Sequence, residues 1–312
     1  MSVIEEEKGD RATLSAHFCK TMLDLHGDAG IVWIQQLPAL LTEYAERWQV
    51  QLGSPYDLSY NYVAPGTGAD GTPVVIKAGV PEPEFERQIE ALRLYHGEGC
   101  IRLLEADKAR GVMLLERVAP GTPLSELPDD EEATRIAARI MRQLWRPLPP
   151  DNPFRPIEEW FEGLHTLRAM FEGGTGPLPT PIVEEAESWV RDLFASPTAR
   201  VLLHGDLHHY NILKAEREPW LMIDPKGMTG DPAYEIGMFL LNPFDLLERP
   251  NPSDLLARRI AIFAEELGFE RERLRGWGIA HAVLSAWWSV EDHGEGWEGA
   301  IACAQYLSAM SV

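Results

Sequence analysis

Two short apolar runs in the second half of the chain each lead to a carboxylate. The first, 201–203, precedes His204-Gly-Asp206, and the second, 220–223, ends at Asp224. Asn211 lies between them, five residues after Asp206. Two carboxylates and an amide oxygen suit Mg²⁺, which binds oxygen and usually takes substrate phosphates into its shell. The spacing therefore indicates a magnesium site at the end of two buried strands.

The same spacing resembles the catalytic loop and metal-binding aspartate of the protein-kinase-like phosphotransferases. An alternative is a metallophosphatase, because Asp206-Leu-His208 has the D-x-H form. That alternative needs a further His/Asp cluster to complete a two-metal site, and the sequence offers none. We expect His204 to be structural, with its ring bonded to backbone carbonyls.

The elements that must position these groups begin with a helical segment over residues 11–47, interrupted by glycines. Strands follow from 48 to 115, with Asp70-Gly71 as a tight turn. Lys77 closes the apolar strand after that turn, and a lysine in this place reaches the α- and β-phosphates in kinases. The alternative is an edge-strand lysine that prevents aggregation.

The spacing of apolar residues predicts a helix over 83–95. Glu86 and Glu90 lie one turn apart on its other face. A glutamate there can pair with Lys77 and hold it towards phosphate, and Glu90 is favoured over Glu86. The alternative is an acidic face in solvent. The stretch 53–66, where a phosphate-covering loop is expected, has no G-x-G-x-x-G.

A strand ending at Glu116 and followed by Val118-Ala-Pro-Gly-Thr-Pro predicts a hinge, and mostly helical sequence follows it. In a kinase-like fold, backbone groups near Glu116 and Val118 would bind the adenine edge. The predicted fold is α+β and two-lobed. Residues 1–117 form a small antiparallel β lobe with a helix and a helical N-terminal extension, and 118–312 form a larger helical lobe with the catalytic loop.

The formal net charge of −21 disfavours nucleic acid and anionic membranes as partners. It is compatible with a small cationic substrate, although acidity also serves solubility alone. The three cysteines are far apart and without a CxxC, which indicates a reducing compartment. With neither a signal-peptide pattern nor a membrane-length apolar run, we expect a cytoplasmic protein.

Three segments resemble the aminoglycoside phosphotransferases: residues 204–213, Ile223-Asp-Pro-Lys-Gly, and 230–235. The second of these, with Ser285-Ala-Trp-Trp-Ser-Val-Glu-Asp, is similar to the branch of streptomycin 6-phosphotransferases and hydroxyurea phosphotransferases, which are antibiotic-resistance kinases. The resemblance extends from about residue 48 to the C-terminus.

This resemblance implies a two-lobed kinase fold and ATP- and Mg²⁺-dependent phosphorylation of a hydroxyl. Asp206 becomes the catalytic aspartate, Asn211 and Asp224 the Mg²⁺ ligands, and Lys77 the phosphate-reaching lysine. The acceptor is expected to be a small cationic molecule such as streptomycin. The helical lobe offers three further acidic candidates for binding it: Glu235, Glu291 and Asp292.

Two other functions stay open at this point. The chain could phosphorylate a small metabolic alcohol unrelated to resistance. It could also be a non-catalytic nucleotide-binding pseudokinase, although the intact set of Lys77, Asp206, Asn211 and Asp224 argues against that.

Overall fold

The computed structural model describes residues 14–196, 198–243 and 245–311. These residues form two compact units. The first contains the chain up to Ile89 together with Arg102–Arg117, and the second contains Glu90–Ile101 and the chain from Val118 onward. The sequence predicted a contiguous division at 117. The structure differs because Glu90–Ile101, which includes the end of a helix, groups with the second unit.

The first unit consists of a helical hairpin and an antiparallel sheet with strand order β1-β2-β3-β5-β4. Its helices and strands, with the helix that continues into the second unit, are α1 (Ala16–His26), α2 (Asp28–Arg47), β1 (Val50–Leu52), β2 (Tyr62–Gly68), β3 (Pro73–Ala78), α3 (Pro83–Tyr95), β4 (Leu103–Asp107) and β5 (Val112–Glu116). The predicted helical segment is thus confirmed from residue 16, while its first residues, 11–13, lie outside the described part of the chain.

Helix α2 covers the sheet because its apolar residues recur at helical spacing. Trp33, Leu37, Leu40 and Tyr44 lie on one face and pack against inward-facing residues of β2 and β3. Burying each such side chain contributes about 1.5–3 kcal/mol. The Tyr44 hydroxyl also donates to Asp107 Oδ2 at 2.6 Å, which ties this helix to β4.

The second unit is mainly helical. Its helices are α4 (Asp130–Leu144), α5 (Ile157–Met170), α6 (Thr180–Ala195), α7 (Ile236–Leu240), α8 (Pro252–Leu267), α9 (Arg271–His293) and α10 (Glu298–Ser308). Asp129 caps α4, since it accepts from the N–H groups of Glu131 and Glu132 at 3.1 Å. Among the described residues, no helix combines the length and the apolar character needed to cross a membrane.

Two small sheets frame the segment that carries the candidate chemistry. One has the order β10-β9-β6 and the other β7-β11-β8. Their strands are β6 (Pro120–Pro123), β7 (Arg155–Pro156), β8 (Val201–Leu203), β9 (Ile212–Ala215), β10 (Trp220–Met222) and β11 (Met228–Gly230). β6 lies in the stretch that the sequence presented as a Pro/Gly-rich hinge. It forms a strand because Pro120 and Pro123 pair with Ala215 and Leu213 of β9.

Helix α9 is buried over much of its length and forms the centre of the second unit. The Trp277 ring lies 5.7 Å from Phe161, 5.6 Å from Phe194 and 5.4 Å from Tyr234, between ring centroids. Such aromatic contacts contribute beyond the area that they bury. They connect α9 to α5, to α6 and to the turn before α7.

Asp231 caps the short turn after β11, and it also holds α9. Its Oδ1 accepts from Ala233 N at 3.0 Å, which caps the short turn over Pro232–Glu235. Its Oδ2 accepts from Trp277 Nε1 at 2.8 Å and from Arg273 Nε at 2.9 Å. One buried carboxylate therefore joins the turn after β11 to α9.

We expect Asp231→Asn to lower the free energy of unfolding by about 3 kcal/mol, because it leaves the Arg273 guanidinium without its counter-charge. Urea unfolding measures this change. Asp245→Asn is the matched control, since Asp245 is exposed and pairs with Arg249 within one helical turn. That control should cost less than about 1 kcal/mol. Equal effects of the two substitutions would contradict the structural role of Asp231.

Candidate active site

The loop after β8 is held by one buried carboxylate. The N–H groups of His204 and Gly205 donate to Glu235 Oε2 and Oε1, each at 2.8 Å. Gly205 has a φ of +84°, and a Cβ there would lie 2.4 Å from Met228 Cγ. Only glycine fits this backbone without strain. The turn therefore places Asp206 at a defined point beyond β8.

His204 links this loop to the end of β10. Its Nε2 donates to the Ile223 carbonyl at 2.8 Å, and its Nδ1 accepts from Asp206 N at 3.1 Å. Burial lowers the pKa of His204 to about 3, so the ring stays neutral and keeps one donor and one acceptor. The predicted structural role of His204 is confirmed.

Asp206 and Asn211 are joined within the loop. Asn211 Nδ2 donates to the Asp206 carbonyl at 2.9 Å, which leaves Oδ1 as the acceptor end of this amide. The Asp206 side chain is 25% exposed. His208 Nε2 lies 3.6 Å from Asp206 Oδ1, too far for a hydrogen bond. The Asp206 carboxylate thus lies at the surface of a loop whose backbone is fixed.

The backbone also brings Asp224 to this loop. Ile223 N donates to the Asn211 carbonyl at 2.9 Å, and Lys226 N donates to the His204 carbonyl at 2.7 Å. Asp224, between these two bonds, is exposed and has a φ of +65°. Asp is one of the few residues other than glycine that adopt this conformation. Such outliers are frequent at functional sites.

The charges of Asp224 and Lys226 both act on the neighbouring His208 ring. Burial lowers the pKa of His208 to about 4, the charge of Asp224 raises it, and that of Lys226 lowers it further. Asp206, Asn211 and Asp224 supply carboxylate and amide oxygens, which fit a hard cation such as Mg²⁺. Within the described ranges, no three His, Cys, Asp or Glu side chains form a group that could hold a metal ion by themselves.

In the first unit, Lys77 is the last residue but one of β3 and is only 3% exposed. Its Nζ donates to Gln88 Oε1 at 2.8 Å. Gln88 was not among the residues predicted from the sequence, although its position indicates a buried polar side chain. It falls three residues after Phe85 and four before Leu92, which places a polar side chain on the apolar face of α3.

Each of the two glutamates predicted as partners of Lys77 lies in an ion pair with a basic residue. Glu90 Oε1 accepts from Arg93 NH1 at 2.7 Å. Glu86 Oε2 lies 3.9 Å from Lys108 Nζ. The pairing of Lys77 with Glu90 stays a prediction.

The predicted adenine-binding residues lie at the end of β5 and just after it. Glu116 N donates to the Arg102 carbonyl at 2.9 Å, and a Glu116 carboxylate oxygen accepts from Arg102 N at 3.0 Å. The Glu116 N–H is therefore used within its own unit, and its role towards adenine stays a prediction, as does that of Val118.

Glu235 requires a correction, because the sequence analysis named it as an acceptor ligand. Its side chain is 2% exposed, and both of its oxygens bind the catalytic-loop backbone. It therefore positions the loop and has no free oxygen for an acceptor. The sequence feature that indicates burial of Glu235 is its position directly before the apolar run 236–241. Glu291 and Asp292, at the C-terminal end of α9, are exposed.

The family model described as aminoglycoside/hydroxyurea antibiotic resistance kinase matches residues 47–293. The chain belongs to this family. It is 32% identical to the streptomycin 6-kinase of Streptomyces glaucescens, over 85% of this chain and 87% of that protein. It is 33% identical to the hydroxyurea phosphotransferase of Kitasatospora aureofaciens, over 89% of this chain and 81% of that one.

The family is one of small-molecule kinases, and the chain is a phosphotransferase. Solved structures support the kinase-like fold that the sequence predicted. A thermostable mutant of aminoglycoside phosphotransferase APH(4)-Ia, with ADP and hygromycin B, matches with a TM-score of 0.61 at 14% identity, over 87% of this chain and 97% of that one. Choline kinase LicA from Streptococcus pneumoniae matches with a TM-score of 0.62 at 14% identity, over 88% of this chain and 100% of that one.

The buried Glu235 makes a pH-dependent contribution to stability. Burial raises its pKa to about 7, the two backbone N–H bonds lower it, and the nearby Asp206 charge raises it. Tyr95 and Tyr234, whose own pKa values are raised by burial and by the Glu235 charge, lie beside it. Between about pH 4.5 and about pH 7, the folded protein keeps this proton and the unfolded chain loses it. The contribution of Glu235 to stability therefore falls as pH rises through this window.

We expect Glu235→Gln to remove this dependence. The free energy of unfolding of the wild type, relative to the variant, should fall by about 3 kcal/mol between pH 4.5 and 7. Because Gln turns an N–H towards one loop amide, kcat should also fall at every pH. Urea unfolding at several pH values measures the first effect, with the exposed Glu265→Gln as control. Parallel pH curves for wild type and Glu235→Gln would contradict the assignment.

Proposed function

We propose that this kinase transfers the γ-phosphoryl group of ATP to a hydroxyl of a small cationic molecule, an aminoglycoside such as streptomycin or a related compound. The observation that carries the proposal is the bonding of the loop. Asn211 is bonded through its side chain to the Asp206 carbonyl and through its carbonyl to Ile223 N, next to Asp224. This links the backbone around all three oxygen-bearing groups.

Asp206 orients the acceptor hydroxyl and takes up its proton late in the transfer. Its carboxylate is partly exposed, while its own N–H and C=O are bonded to His204 and Asn211. Fixing the main chain in this way limits where the carboxylate can move. In phosphoryl transfer most of the acceleration comes from such positioning and from electrostatics.

Asn211 Oδ1 and the Asp224 carboxylate would hold Mg²⁺, since both are the oxygen ligands that this ion prefers. When bound, the ion neutralises charge that develops on the phosphates. Lys77 binds the α- and β-phosphates, with Glu90 as the residue that holds it in this pose. Backbone groups of Glu116 and Val118 bind the adenine edge.

The exposed Glu291 and Asp292 attract the cationic acceptor, which agrees with the net charge of −21. The partner in this proposal is the small-molecule acceptor, and neither nucleic acid nor a membrane takes part. The reaction takes place in the cytoplasm, where ATP is available.

A screen of ATP consumption with aminoglycosides, hydroxyurea and small metabolic alcohols identifies the acceptor. Transfer to an alcohol alone would replace the resistance role by a metabolic one.

We expect Asp206→Asn to lower kcat for phosphoryl transfer about 10²–10⁴-fold, because the amide cannot accept the hydroxyl proton. Product formation from ATP and the acceptor found in the screen measures this. Asp245→Asn, an exposed carboxylate outside the loop, should leave kcat unchanged. Thermal unfolding establishes that both variants are folded.

Three other results would contradict the proposed role of Asp206 or the proposed function. A folded Asp206→Asn that turns over at the wild-type rate would refute the role of Asp206. ATP binding by the wild type without transfer to any acceptor would indicate a pseudokinase. Phosphate release from esters without ATP would indicate a phosphatase.

A second prediction separates Glu90 from Glu86. If Glu90 holds Lys77 towards the phosphates, Glu90→Gln should raise KM for ATP and lower kcat, together at least about 10-fold in kcat/KM. Glu86→Gln should change neither by more than about 2-fold, because Glu86 lies in a long, exposed ion pair with Lys108. Steady-state kinetics at varied ATP measures both, and the reverse order would assign the role to Glu86.

A further inference from the structure

Two partly exposed indoles lie against each other in the second unit. Trp160 of α5 and Trp288 of α9 have ring centroids 5.1 Å apart and ring planes at 84°. This is the edge-to-face geometry that aromatic pairs prefer. The ring that contributes its edge keeps both faces uncovered by the other ring. Both indoles are partly exposed, so the pair contributes aromatic surface that a ligand can contact.

A glycine fixes the distance between the two helices. Gly163 follows Trp160 by three residues, and a Cβ there would lie 3.0 Å from Leu284 Cδ1 and 3.1 Å from Trp287 Cδ1. A larger residue at 163 would push α5 away from α9 and separate the two indoles. Because the spacing is set by the helices, the aromatic face is formed before any ligand arrives.

The indole pair is connected to the catalytic loop through Tyr234. Trp160 lies 6.5 Å from Tyr234, and His281, at 5.3 Å from Tyr234, lies 6.1 Å from Trp288, all between ring centroids. Burial raises the pKa of Tyr234, and the charges of Glu235 and Asp206 raise it further. The charge of the catalytic carboxylate thus reaches the base of the aromatic cluster.

One buried polar atom beside the pair is unsatisfied. His281 is 0% exposed, its Nδ1 is bonded to Tyr234 Oη at 3.0 Å, and its Nε2 has no hydrogen-bond partner in the part of the chain that the structure describes. Buried ring nitrogens are normally satisfied by protein, water or ligand.

Two carboxylates lie one helical turn beyond Trp288. Glu291 and Asp292 follow it by three and four residues on α9, so they lie on the same side of the helix as its indole. Both are exposed. Burial raises the pKa of Glu291, and the charge of the neighbouring Asp292 raises it further.

We propose that Trp160, Trp288 and Glu291 form a subsite for a planar cation of the acceptor, a guanidinium group. This inference rests on the proposed function, because it names the acceptor class of that phosphotransferase. A guanidinium stacks on an aromatic face and at the same time donates two parallel hydrogen bonds to a carboxylate. An ammonium can pair with the carboxylate only as a point charge, and it has no planar face to stack on the indole. A neutral acceptor gains little from either group.

The experiment measures binding separately from transfer. Calorimetry with a non-hydrolysable ATP analogue gives Kd for streptomycin, which carries two guanidinium groups, and for kanamycin, which carries only ammonium groups. The variants are Trp288→Leu, Trp288→Phe and Glu291→Gln. Trp189→Leu and Glu265→Gln are the matched controls, because Trp189 is also partly exposed, on α6, and Glu265 is an exposed helical glutamate on α8.

We expect Trp288→Leu and Glu291→Gln each to raise Kd for streptomycin about 5- to 30-fold. Trp288→Phe, which keeps an aromatic face, should recover most of the affinity lost in Trp288→Leu. The loss for kanamycin in Trp288→Leu should be smaller. The two controls should leave Kd for streptomycin unchanged, and every variant should bind the ATP analogue as the wild type does.

The outcomes separate this inference from the proposed function. Transfer by the wild type with an unchanged Kd in folded Trp288→Leu overturns the subsite and leaves the function standing. Binding that weakens as expected, without any transfer from ATP, supports the subsite and overturns the function. A wild type that does not bind streptomycin, or Trp288→Phe as weak as Trp288→Leu, overturns the guanidinium subsite.

Discussion

The catalytic loop depends on a carboxylate that never meets the acceptor. Glu235 is buried, and its two oxygens accept from consecutive backbone amides at the start of the loop, both at 2.8 Å. Burying a carboxylate is costly unless donors surround it, and here the donors are the loop itself. Because the turn after β8 and Glu235 satisfy each other, neither can shift alone. Asp206 follows directly, so its position depends on this contact.

A second set of bonds extends the same constraint to Asn211 and Asp224, the proposed metal ligands. The neutral His204 ring joins Asp206 N to the Ile223 carbonyl, and the Asn211 carbonyl receives Ile223 N. The peptide on each side of Ile223 is thus bonded to the loop, and Asp224 comes next. Preorganised oxygen ligands are what a phosphotransferase needs, since it gains most of its rate from electrostatics and positioning.

Part of this arrangement could be predicted from the sequence. The rest depends on contacts between residues far apart in the chain, which local patterns do not predict. The spacing of Asp206, Asn211 and Asp224 predicts that they come together, and the structure bonds the backbone around them, while their roles stay predictions. The capping role of Asp231 follows from the proline after it. The position of Glu235 before an apolar run is consistent with burial, but it does not show that the two oxygens bind the loop backbone thirty residues earlier. Gln88 carries no charge, and its place on the apolar face of α3 is the local sign of its role. β6 has two prolines and pairs with a strand about ninety residues later, a contact that propensity does not encode.

The positive φ of Asp224 has a consequence for how such a gene can change under selection. At a left-handed backbone position, glycine and asparagine are the replacements that fit most readily, and each removes the charge. A replacement that keeps a carboxylate, such as glutamate, meets the steric cost of this conformation instead. Residue 224 therefore cannot change without losing either its charge or part of its fit to the backbone.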